Sequence, residues 1–178
     1  MLVILRILTA LVVVVVLLAI GGLFLPRTID VSRSIDIAAP PETVFPHINS
    51  LQQTEAWSPW LERDPDVQLS YSGPEAGVGN TMTWVSEDPQ VGSGSQEIVV
   101  SEENALVQSV LDFGEMGTGE ARFDLAPDGD GTEVTWTFDT DLGMNPAMRY
   151  LGLMMDSWLG QDFETGLARL KVVVEGGS

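Results

Sequence analysis

Few side chains in this sequence could do chemistry, and their scarcity narrows the choices. There is one histidine, His47, and no cysteine. Thiol nucleophiles, disulfides, thiolate metal sites and multi-histidine metal centres are therefore excluded. His47 follows Pro46 in a short predicted helix, toward the edge of its apolar stripe. It reads as an edge histidine rather than a general base, and no Gly-x-Ser-x-Gly elbow accompanies it. Asp128-Gly129-Asp130-Gly131 lacks the spacing and closing glutamate of a calcium loop and reads as a hairpin turn. Arg33 stands out because it shares the parity of the apolar residues in its strand. A buried arginine needs a carboxylate partner. Asp112 or Glu97, if inward, would supply one, which makes Arg33 and Asp112 candidate polar anchors. The plainer alternative leaves Arg33 at an exposed rim. No cofactor or metal site is expected.

The other recognition chemistry is aromatic and sulfur-based. Trp84 shares a predicted strand face with Met82, and Trp136 shares one with Phe138. Trp57 and Trp60 bracket Ser58-Pro59 and suit a cavity mouth, a membrane interface or a packed corner. Met148, Leu151, Met155 and Trp158 recur at helical spacing, with Met144 just before and Met154 among them. Flexible, polarizable methionines and broad rings suit an apolar ligand of irregular shape. Core packing is the alternative for each. Gly152, Gly160 and Gly166 interrupt the same helix, either leaving room for a ligand or permitting close helix-to-sheet contact.

These residues need elements to hold them. Residues 28–37 alternate with period two, placing Ile29, Val31, Arg33, Ile35 and Ile37 on one face. Pro41 opens a short helix to about Asn49, and a second is expected over Leu51–Ala56. Strands are expected at 67–72, 80–86, 95–102, 105–113, 120–125 and 132–140, divided by glycine-rich turns. Asn145-Pro146 pairs an N-cap with proline at the first helical position, and the helix runs to Gly176-Gly177. Seven strands with one apolar face require a cover, and only this helix is large enough. The expected class is α+β: a seven-stranded curved antiparallel sheet gripping a long C-terminal helix, with two short helices after strand 1.

Residues 7–25 are uncharged and apolar. As a helix they span about 28 Å, close to a bilayer's hydrocarbon thickness. The run exceeds a signal peptide's apolar region, so an uncleaved anchor is expected. That divides the chain into a transmembrane anchor, residues 1–26, and one domain, residues 27–178. Arg6 before the span nearly balances Arg27 and Arg33 after it. The short head favours the N-terminus inside, with the domain extracytoplasmic. The domain holds seven of the eight Lys and Arg against all 26 Asp and Glu, a formal charge of −19. Such a surface repels nucleic acid, so no nucleic-acid partner is expected. Salt adaptation and ordinary solubility both fit this acidity.

Ile35-Asp36-Ile37-Ala38-Ala39-Pro40-Pro41-Glu42-Thr43-Val44-Phe45 resembles the strand-to-helix opening of the SRPBCC, or START-like, superfamily, in its polyketide-cyclase/dehydrase branch. Trp57-Ser58-Pro59-Trp60, Tyr71-Ser72-Gly73-Pro74, Gly77-Val78-Gly79 and the helix from Gly143 to Leu170 extend the resemblance across residues 28–174. It implies a helix-grip fold with a cavity between helix and sheet, suited to an apolar molecule. No catalytic motif carries over. Three functions follow in order of preference: binding of a hydrophobic small molecule or lipid by a membrane-anchored domain, an envelope interaction module with a filled core, and a cyclase or dehydratase. The cavity candidates are Trp57, Trp60, Met82, Trp84, Trp136, Phe138, Met148, Leu151, Met155 and Trp158.

Overall fold

The structure, a computed structural model, describes residues 2–61 and 63–176. The chain opens with α1 (Leu2–Leu23), whose valine-rich sequence is long and apolar enough to cross a membrane. Phe24 and Leu25 close a turn back onto Gly21 and Gly22, and Pro26 forbids further helix. Then follow β1 (Thr28–Ile37) and α2 (Pro41–Ile48). Val44, Phe45 and Ile48 form the buried stripe of α2, and Pro41 occupies its first turn. The second expected helix is only a 3-10 turn at Gln53–Ala56. Four residues cannot build an α-helical ladder.

Six strands come next: β2 (Gln68–Ser72), β3 (Thr81–Val85), β4 (Ser93–Glu102), β5 (Leu106–Asp112), β6 (Thr118–Asp128) and β7 (Gly131–Asp141). The last element is α3 (Pro146–Gly176). The Asn145 side chain accepts a bond from the Ala147 amide and so caps it. Gly176 is its final described residue, and Gly177 lies outside the described residues.

The seven strands form one antiparallel sheet in the order β1-β7-β6-β5-β4-β3-β2. The curved sheet wraps around α3, so the fold is α+β helix-grip. A bulge between Ile98 and Val100 bends β4. The β6–β7 hairpin has a two-residue loop, with Gly129 at positive φ. The inward faces carry Val31 and Ile37 of β1, Ala121, Phe123 and Leu125 of β6, and Val134, Trp136 and Phe138 of β7. Phe163, Leu167, Leu170 and Val174 of α3 close on them, with α2 at that same end.

Two strands start earlier than their glycines suggest. Gly94 lies in β4 and Gly119 in β6. A Cβ at Gly94 would lie 2.6 Å from the Trp84 ring, and one at Gly119 would strike the Phe138 ring. These glycines give flat rings room to lie across the strand.

Candidate functional site

The filled core stops short of the sheet's other end. Trp136 stacks on Phe163 with centroids 4.0 Å apart and on Phe123 at 4.8 Å. Trp57 and Trp60 each meet it edge-on at 5.6 Å. Such stacked and T-shaped geometry is the favourable one for ring quadrupoles. The Trp57 indole also donates to the His47 carbonyl at 3.1 Å, fixing the corner after α2. His47 is thus a structural partner through its backbone. Its ring Nδ1 and the Trp136 Nε1 are buried without hydrogen-bond partners.

Above this aromatic floor lies a cavity of about 420 Å³. Its sheet wall includes Met82, Trp84, Ile98, Leu111 and Phe138, and its helix wall includes Met148, Met155 and Leu159. Pro89, Gln90 and Met116 are exposed and form part of the rim. The described lining contains no Asp, Glu, Lys, Arg, His or Tyr. Its polar groups are neutral. Thr54 and Thr140 spend their hydroxyl protons on the Leu51 and Thr118 carbonyls. Gln96 donates to the Ser109 hydroxyl at 2.7 Å, leaving that hydroxyl's own proton to donate. Sequence reasoning missed Gln96 and Ser109. Two neutral polar residues at inward positions of adjacent strands were the available signal.

The structure brings together Trp57, Trp60, Met82, Trp84, Trp136, Phe138, Met148 and Met155 around this space. Leu151 and Trp158 are corrections: they are 47% and 53% exposed and belong to the outer side of α3. The polar anchor is a correction too. Arg33 does point inward, but it bonds Asp156 at 3.0 Å and Glu164 at 3.1 Å, both on α3. These bonds lift its pKa further and hold that of Asp156 below the usual carboxylate range. Asp112 instead accepts the Gly114 amide in the β5–β6 turn, and Glu97 is exposed. Neither meets Arg33. The helix glycines serve close contact: Gly160 faces the Arg33 guanidinium, Gly152 faces Ile29 and Leu142, and Gly166 faces Trp136 and Pro59. A second depression, along Gln161, Thr165, Ala168 and Val172, is open to solvent and has no enclosing wall.

Residues 28–175 match the family described as polyketide cyclase/dehydrase and lipid transport. The chain belongs to this family. No curated protein shows significant similarity to it. Several solved structures share the fold of this polyketide cyclase/dehydrase and lipid transport member. TTHA0849 from Thermus thermophilus is 20% identical with a TM-score of 0.61, covering 84% of this chain and 99% of its own. Ara h 8.0201 is 13% identical with a TM-score of 0.60, at 84% and 99% coverage. Protein Ms6760 from Mycobacterium smegmatis is 12% identical with a TM-score of 0.58, at 84% and 93% coverage. At such identities the likeness concerns the fold alone.

Proposed function

We propose that this chain is a membrane-anchored helix-grip domain that binds a neutral hydrophobic small molecule or lipid between its sheet and α3. The observation that carries the reading is a cavity of about 420 Å³ with no ionisable side chain in its described lining. Small-molecule sites occupy about 300–1,000 Å³ and combine apolar walls with few polar groups. A charged ligand group would be buried there without a partner, which is strongly unfavourable. A carbonyl or hydroxyl, in contrast, can accept from Ser109 or Gln96. General acid–base chemistry needs a titratable group within reach of the substrate, and this wall offers none. An interaction module with a filled core is disfavoured by the cavity itself.

The anchor comprises residues 1–26 and the binding domain residues 27–178. The hydropathy of α1 and its lack of burial support a transmembrane position. Arg6 lies near its free end. Arg27 at the other end is neutralised by Asp141 at 2.6 Å, which favours the N-terminus inside and the domain extracytoplasmic. Resistance to alkaline carbonate extraction tests the anchor.

Native mass spectrometry of the full chain released from detergent, followed by organic extraction, tests the ligand. A neutral apolar molecule near one per chain is expected. Leu111→Trp, which adds bulk to the sheet wall, is expected to abolish its retention while the protein stays folded. An unliganded mass that persists across a panel of neutral lipids and polycyclic aromatics would overturn the binding reading.

A further inference from the structure

The anchor is not a loose tether. The last turns of α1 cross the first turns of α3 at Gly21 and Gly22. A Cβ at Gly22 would lie 2.6 Å from Pro146, so only glycine permits this approach. Tyr150 donates its hydroxyl to the Leu18 carbonyl at 3.0 Å. Arg149 is 6% exposed and donates to the carbonyls of Leu23, at 2.8 Å, and Gly143. A buried guanidinium thus sits on the C-terminal end of α1, where the helix dipole favours a cation.

This contact sets a depth. Leu18 precedes the end of α1 by five residues, about 7.5 Å along the axis. Helices lying in a bilayer interface bury their apolar side by roughly 5–10 Å. The composition of α3 changes at the same place. Residues 142–155 hold no carboxylate, in a chain with 26. Their one charge is the buried Arg149. Leu151, Leu153 and Met154 are exposed there, with Trp158 one turn on.

Strand register then places the cavity. Thr28 pairs with Asp141, Asp112 with Thr118, and Val85 with Ser93. In an antiparallel sheet these pairs mark one common end. The β3–β4 loop and the β5–β6 turn, which carry the exposed rim residues, therefore stand at the end where α1 joins β1.

We propose that, with α1 in a bilayer, the first turns of α3 lie in the interfacial layer and the cavity opens onto the lipid. An apolar ligand then passes between membrane and cavity without crossing water. The inference rests on the reading of α1 as a membrane span. The matching surface is a bilayer without net charge, because Glu87, Asp88 and Glu115 stand on the rim loops and repel anionic headgroups. Continuity with α1 selects this occupant over a second copy of the chain.

The absence of cysteine makes single-site spin labelling of the full chain direct. Met116→Cys, Leu151→Cys and Met154→Cys report the face, Val14→Cys the span, and Val172→Cys the far half of α3. In phosphatidylcholine nanodiscs, Met116, Leu151 and Met154 are expected to lose collisions with a water-soluble nickel chelate and gain them with oxygen. Val14 should do the same, while Val172 stays open to the chelate. Val14 in lipid with the three face labels as aqueous as Val172 would overturn this proposal and leave the anchor standing. An aqueous Val14 would overturn both. Dipolar broadening between face labels would show a second copy covering the surface, which also overturns it.

Discussion

Gly94 shows how a single missing side chain can mislead. Glycines between apolar runs read as turns, yet this one lies inside β4 beneath the Trp84 ring and 2.5 Å from the Asp112 carbonyl at its virtual Cβ. Gly94→Ala is expected to destabilise the domain by about 1–3 kcal/mol, because backbone cannot yield as a flexible side chain can. Urea unfolding followed through tryptophan emission would measure it. On the outer face, Asp139 lies opposite Asp30 and Glu120. Burial, then the hydrogen bond and charge of Asp30, raise its pKa above the ordinary 3.8. A raised folded-state value means that ionised Asp139 opposes folding at neutral pH. That penalty fades as pH falls through its folded pKa. Asp141 and Asp156 run the other way, since arginine partners lower their values and their contribution is lost below the ordinary carboxylate range. Stability is therefore expected to rise slightly from neutral pH into mild acid and then fall. Asp139→Asn should add about 0.5 kcal/mol at pH 7 and flatten the rise, as pH-dependent denaturation midpoints would show.

At the scale of elements, strand alternation was legible because each strand buries one face only. The sequence-based bounds of β1 match the structure, and those of β7 lie within a residue of it. The inward set of α3 was less legible. Its first half is apolar on two sides, one toward the cavity with Met148 and Met155, the other outward with Leu151 and Trp158. Periodicity finds an apolar stripe but cannot choose between two. Arg149 escaped notice for a different reason, since a charged residue is expected outside. Its signal was being the one charge in residues 142–155. Arg149→Met keeps most of the volume but strips partners from the Leu23 and Gly143 carbonyls. It is expected to lower stability by about 1–3 kcal/mol and to loosen α1 from α3, measurable as faster amide exchange at Gly22 to Leu25.

The whole molecule carries 26 carboxylates and eight Lys and Arg. Several of these cations are already engaged: Arg27 with Asp141, Arg33 with α3, Arg63 with Asp162, and Arg122 with Asp124. Most carboxylates are left to repel one another. Salt weakens the few surface pairs and the repulsion alike, and the repulsion, being the greater, decides the sign. Melting temperature is expected to rise between 50 mM and 500 mM sodium chloride by several degrees, roughly 1 kcal/mol of relieved repulsion for a domain this size. Differential scanning calorimetry would check it. The cavity was only partly legible at this scale. Which inward side chains meet and which leave space depends on ring orientation and on the path of α3, and neither is periodic in sequence.

The pairing of β1 with β7 has a temporal consequence. The two strands are joined from Thr28↔Asp141 to Ile37↔Thr132, so the first strand made must wait for the last. Translation at about 5–20 residues per second leaves β1 unsatisfied for several seconds, far longer than a hairpin takes to form. The β3–β4, β4–β5, β5–β6 and β6–β7 neighbours can assemble meanwhile, each on its sequence neighbour. On the proposed reading of α1 as a membrane span, a newly made chain passes through a stage in which α1 is already inserted and β1 hangs beside it as an open edge. Such a tether would keep that edge at low dimensionality and close to its eventual site, so that closure of the sheet and seating of α3 would become a single late step at the membrane surface.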